Sequence, residues 1–217
     1  MMVNFPFTEK KSGYRVLCIG AHCDDIEIGC GATLIRLMET HPVDFVKWVV
    51  FASTETRKQE AIASAKAFLE KAKKKEILVL DYRDAFLNYS GMEIKENFES
   101  IKNDINPDLI FTHYRDDRHQ DHRILSDFTW NTFRQHFILE YEIPKYDGDL
   151  GNPNFFVRLN EEQVNKKIEL IRHNFQSQSG KHWFDKETFL SLMRIRGMES
   201  ASFTKYAEAF YGRKIIL

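Results

Sequence analysis

Short apolar runs alternate with stretches of helical spacing over the first two thirds of the chain. Arg15–Ala21 reads as a strand, its apolar stretch Tyr14 to Ile19 buried, and Gly31–Thr40 as a helix. Asp44–Phe51 (DFVKWVVF) is a second strand. A helix from about Arg57 to Lys75 carries Ala61, Ala65, Phe68 and Leu69 on one face. Glu76–Asp81 is the third strand, Ile94–Asn106 a helix stopped near Pro107, Leu109–His113 the fourth strand and Asp121–Phe137 the helix after it. This alternation predicts βαβ units with right-handed crossovers: an α/β protein with a Rossmann-like parallel sheet flanked by helices.

The pattern changes after Ile138. Tyr141–Asn154 reads as irregular loop, Asn154–Leu159 as one more strand and Glu161–Gln176 as a helix rich in Lys and Glu. The tail Gln176–Phe210 holds His182-Trp183-Phe184 and Tyr206-Ala207-Glu208-Ala209-Phe210 without a clear element. No repeat or linker divides the chain. Its 217 residues are expected to form one domain, with 1–137 as the βαβ core and 138–217 as a C-terminal elaboration of loops and helices.

A formal net charge of −1 gives no reason to expect nucleic acid or an anionic membrane as partner. No apolar run approaches the ~20 residues of a membrane helix, and the N-terminus lacks the apolar stretch of a signal peptide. A cytoplasmic protein is expected, with self-association into a homo-oligomer left open. The three cysteines, Cys18, Cys23 and Cys30, all lie around one segment, so reduced thiols are expected. Cys18 and Cys30 read as buried apolar residues; Cys23 stands beside candidate ligands, but adjacent carboxylates make it unnecessary as one.

Those ligands come in two clusters. His22-Cys23-Asp24-Asp25 follows the first strand, and His113 through His122, including Asp116-Asp117-Arg118-His119-Gln120-Asp121, follows the fourth. Open α/β sheets place ligands at the carboxyl ends of their strands. Taken singly, an Asp-Asp pair reads as a solvated turn, and His-x-x-His as a surface helix pair. His113 alone could be a core histidine. Together, after two strands of one sheet, they point to a single metal site. Imidazole and carboxylate suit Zn²⁺, with Fe²⁺ a second candidate. Side chains of adjacent residues in a turn diverge, so only some of His22, Asp24 and Asp25 can reach one ion; His22 and Asp25 are the expected ligands, with His122 as the third. Asp24 is then free to take a proton from a bound water, His119 to face the substrate, and Asp121 to orient a neighbouring imidazole.

The first cluster resembles the Ala-His-Pro-Asp-Asp-x-Glu motif of the PIG-L/LmbE-like N-acetylglucosaminyl deacetylases, running into their Gly-Cys-Gly-Gly-like turn. His119-Gln120-Asp121-His122 resembles their second motif, Arg57-x-x-Glu60 a position tied to sugar binding, and Tyr206–Phe210 the tail of bacterial members. The resemblance covers nearly the whole chain. It implies zinc ligands at His22, Asp25 and His122, a general base at Asp24, oxyanion stabilisation by His119 with Asp121 as its partner, and substrate binding by Arg57. The implied reaction is removal of acetyl from an N-acetylated amino sugar or glycoconjugate. Cys23 replaces the family's proline and Ala32 a common glycine, which leaves the His and Asp positions unchanged. The competing readings are a metal phosphoesterase, which would want more carboxylates than the spare Asp116 and Asp117, and a non-catalytic sugar- or nucleotide-binding module. The latter is disfavoured by acids where a phosphate would sit and by the lack of Gly-x-Gly-x-x-Gly.

Overall fold

A computed structural model describes residues 13–215; the segment read for a signal peptide lies almost wholly outside them. The chain order is β1 (Tyr14–Gly20), α1 (Asp25–Thr40), β2 (Val43–Ala52), α2 (Glu55–Phe68), β3 (Lys74–Tyr82), α3 (Gly91–Asp104), β4 (Leu109–His113), α4 (Gln120–Thr132), β5 (Phe137–Tyr141), β6 (Phe155–Leu159), α5 (Glu161–Asn174), α6 (Lys186–Glu199) and β7 (Tyr206–Gly212). The strands form one sheet in the order β3-β2-β1-β4-β5-β7-β6. Strands β1 to β5 run parallel, whereas β7 pairs antiparallel with both β5 and β6. The parallel sheet expected from the sequence is present as β1 to β5, and the C-terminal part extends it with the antiparallel β7 and with β6, which makes the whole sheet mixed.

Parallel strands buried on both faces need apolar residues at successive positions, and β1 supplies them. Val16 and Cys18 face the layer of α1, α2, α5 and α6, while Leu17 and Ile19 face α3 and α4. The helix read over Asp121–Phe137 ends at Thr132, and Phe137 opens β5. A short apolar run directly after a helix has no period of its own to mark the change. Helix α1 starts at Asp25 rather than Gly31. Its glycines are packing positions: a Cβ on Gly29 would lie 2.2 Å from the Tyr141 ring, and one on Gly31 2.6 Å from Phe68. The tail, which shows no clear period in sequence, contributes α6 and β7.

The C-terminal part is tied into α1 by a buried ion pair. Glu208 of β7 accepts the N–H groups of Ala32 (3.1 Å) and Thr33 (2.6 Å), midway along the helix. Lys167 of α5 pairs with Glu208 at 2.6 Å and donates to the Ile28 carbonyl at 2.6 Å. Both side chains are 3% exposed. Removing one member of such a pair strands the other charge out of water. Lys167→Met is therefore expected to cost about 3–5 kcal/mol, measured as a loss of denaturant-unfolding free energy. A variant as stable as the parent would refute this role for the pair.

Candidate metal centre and active-site cleft

Strand β1 lies between β2 and β4, so chain connections leave it in both directions and a crevice opens at its carboxyl end. The turn after β1 carries His22 and Asp24 and leads into α1 at Asp25; the loop after β4 leads to α4, capped by His119. The fold thereby brings the two clusters together. The His22 N–H donates to Asp25 Oδ2 at 2.6 Å, fixing the turn.

Two histidines are held by carboxylates on one nitrogen. His22 Nε2 is 3.3 Å from Asp121 Oδ2, and His122 Nδ1 is 2.9 Å from Asp117 Oδ2. A carboxylate can only accept, so these nitrogens carry the protons and leave His22 Nδ1 and His122 Nε2 as free lone pairs. Those two atoms lie 3.2 Å apart. Asp25 Oδ2 is 3.2 Å from the first and 3.5 Å from the second. Three acceptor atoms facing one another so closely require a cation or shared protons among them. Four-coordinate ligands at zinc distances are separated by about 3.4 Å, so this triad fits a divalent ion, and carboxylate-backed histidines are the usual supports of such ions.

Burial opposes charge on His22, but Asp25, Asp121 and Asp84 together raise its pKa well above the ordinary value, so Nδ1 competes for a proton that an ion in the seat would have to displace. Burial, with His113 beside it, lowers His122 to about 4 and keeps it neutral. Asp25 is buried, yet His122, His22 and His113 hold its carboxyl well below the usual range. Asp24 goes the other way: burial raises it, with the Arg57 guanidinium in partial opposition. Adjacent carboxylates pushed in opposite directions suit different roles, one fixed as an anion and one able to exchange a proton.

The sequence places Asp121 beside His119. In the structure its carboxylate instead meets His22 and is pinned by the N–H groups of Ala85 (2.8 Å) and Leu87 (3.2 Å). His119 receives the Asp121 backbone N–H on Nδ1 at 3.3 Å, as the cap of α4. That bond leaves the proton on His119 Nε2, a donor, and burial with His22 nearby lowers the ring's pKa. Arg57 reaches the cleft with Nη2 3.0 Å from Asp24 Oδ2, Nη1 3.3 Å from Glu60 Oε2 and its guanidinium over the Phe175 ring. The guanidinium thus faces the cleft and pairs with Glu60 at once.

The sequence gives no role to Asp117 or Asp84, and the structure also places His113 and Cys23 beside the centre. Asp117, a spare carboxylate on sequence grounds, is the support of His122; its place five residues before that histidine was the available signal. Asp84 Oδ1 lies 3.0 Å from His22 Nε2. His113 is fully buried and stacked on His122 at 3.9 Å; its Nε2 accepts the Ala21 N–H at 2.9 Å, so it backs the centre. The Cys23 thiol is buried against the Ala52 carbonyl, and burial pushes it up to about 12, which keeps it protonated.

The centre opens into a cleft of about 830 Å³ whose walls include Arg57, Arg83, Lys145, Tyr146, Lys181 and Trp183. The irregular segments after Ile138 and around Ser177–Trp183 thus supply its far side, as loops over a rigid sheet often do.

Known proteins share this arrangement of elements. The structure is similar to N,N'-diacetylchitobiose deacetylase from Pyrococcus horikoshii, with a TM-score of 0.71 and 23% identity, covering 94% of this chain and 85% of that one. It is similar to a conserved protein from Thermus thermophilus (TM-score 0.71, 18% identity, 94% and 96% covered). It is also similar to GalB, the 4-carboxy-2-hydroxymuconate hydratase of Pseudomonas putida (TM-score 0.70, 14% identity, 94% and 98% covered). At these identities the likeness is one of fold. In sequence, the family described as PIG-L, GlcNAc-PI de-N-acetylase, matches residues 17–133, more than half of the chain and a stretch that holds both His/Asp clusters. The chain therefore belongs to the PIG-L family.

Proposed function

We propose that the protein is a zinc-dependent N-deacetylase acting on an N-acetylglucosamine-type sugar or glycoconjugate in the cytoplasm. The observation that carries this reading is the pairing of a three-atom metal seat, His22 Nδ1, Asp25 Oδ2 and His122 Nε2, with an adjacent buried carboxylate, Asp24, outside that seat. A divalent ion there, Zn²⁺ or alternatively Fe²⁺, would supply Lewis acidity toward an acetyl carbonyl and acidify water.

The chain's own groups would do the rest. Asp24 Oδ2, steadied by Arg57, takes a proton from the attacking water as its oxygen adds to the acetamide carbon. His119 Nε2–H donates to the carbonyl oxygen as negative charge develops on it. The carbon–nitrogen bond then breaks, and the proton held by Asp24 passes to the departing amine, giving acetate and the free amino sugar. Asp121 and Asp117 keep the two ligand imidazoles in one orientation throughout.

Fold alone does not choose the reaction, since one of the similar structures is named a hydratase. Of the two spare carboxylates of the phosphoesterase reading, Asp117 holds His122, while Asp116 is exposed and 3.9 Å from Arg213. The deciding experiment is acetate release from a panel of N-acetylhexosamine compounds by the zinc-loaded protein. Release of phosphate from phosphoesters without acetate release would overturn the proposal.

Arg57 is proposed to serve this cleft as a substrate ligand while holding Asp24. Arg57→Ala should lower kcat/KM with metal content intact. A rise in KM alone assigns the arginine to the substrate, a fall in kcat assigns it to Asp24, and an unchanged kcat/KM removes it from the site.

A further inference from the structure

Lys145 lines the cleft, where a lysine would ordinarily be read as a contact for substrate. Its ammonium has no donor to spare. Nζ lies 2.8 Å from Asp117 Oδ2, 2.7 Å from Asp149 Oδ1 and 3.4 Å from the Ile143 carbonyl, which uses all three protons. The side chain is only 13% exposed.

Its principal partner supports both motif histidines. Asp117 Oδ2 is shared between Lys145 and His122 Nδ1, and Asp117 Oδ1 accepts the backbone N–H of His119 at 2.8 Å. Asp149, the second partner, also accepts the Arg118 N–H at 2.7 Å. Segment 143–149 is therefore fastened at two adjoining points to the loop that carries His119 and leads to His122. Arg123 reaches Asp117 only at its backbone carbonyl, so Lys145 is the cation that meets the Asp117 carboxylate among the described residues.

We propose that Lys145 is a positioning residue of the metal centre, acting through Asp117 on His122. The inference rests on the metal seat described above. Without the ammonium, Asp117 and Asp149 are neighbouring buried anions that repel each other. Asp117 would then swing away from His122 Nδ1, and the ring would lose the bond that aims Nε2 at the seat.

The test measures zinc affinity by competition with a chromophoric chelator, alongside steady-state kinetics. Lys145→Met should raise the zinc Kd by roughly 10–100-fold, the usual effect of disturbing a carboxylate behind a ligand histidine. The double variant Lys145→Met/Asp149→Asn removes the cation with its second anion, sparing the fold a bare charge, and should show the same weakening. Lys145→Arg, which keeps charge and donors, should restore most of the affinity. Tyr146→Ala alters the exposed neighbour on the same loop and should leave the zinc Kd unchanged, which separates loop disorder from the loss of Lys145.

An unchanged zinc Kd in the double variant, or a higher KM with unchanged Kd, would make Lys145 a surface or substrate residue and overturn the inference alone. Failure of Lys145→Arg to recover affinity would also overturn it. If the parent protein takes up no zinc, this inference and the proposed metal dependence fall together.

Discussion

Asp24→Asn is expected to lower kcat by roughly 10²–10⁴ while bound metal stays at the parent level, the usual cost of losing a positioned general base. The expectation follows from the division between the two acids of the motif. Asp25 Oδ2 sits among His22, His113 and His122 and is held ionised by them. Asp24 faces Arg57 instead, and burial raises its pKa. An asparagine preserves its shape and can still meet the guanidinium, but it cannot accept a proton from water. Metal analysis beside acetate release checks the assignment. If metal and activity disappear together, the roles of Asp24 and Asp25 must be exchanged.

His22→Ala and His122→Ala are each expected to abolish stoichiometric metal and, with it, activity. Each removes one of three mutually adjacent donor atoms, and the remaining two cannot hold an ion with comparable strength. Asp121→Asn disturbs only the orientation of His22 and should weaken affinity by ~10–100-fold rather than eliminate it. Thermal unfolding gives an independent reading. A metal present at 100 times its Kd stabilises the folded chain by about 2.7 kcal/mol, and the two alanine variants should show no such rise in Tm. Full metal retention in either would remove that histidine from the seat.

The site was legible where its signal was local. An apolar run ending in a sharp polar turn, twice in one sheet, was enough to bring His22, Asp25 and His122 together. It was not enough to say which ring Asp121 serves, because His22 lies 99 positions away and only the parallel pairing of β1 with β4 joins them. Lys145 gave no signal at all: a lysine in a Pro- and Gly-containing loop resembles any solvated charge until Asp117, 28 residues earlier, is found against it. In the fold, β5 was hidden because Phe137–Tyr141 continues the apolar density of α4. Glu208 masked β7, since a charge at the centre of a strand argues against burial unless Lys167 is already known to meet it.

That ion pair sets the size of the cooperative unit. The stretch shared with the family, 17–133, contains α1 but neither Lys167 nor Glu208, which contact its Ile28, Ala32 and Thr33 backbone. A fragment ending after β5 would lack these partners inside the helix that begins at Asp25. The last third is thus expected to melt together with the first, and the amide protons of Ala32 and Thr33 should exchange with solvent only when the whole chain opens.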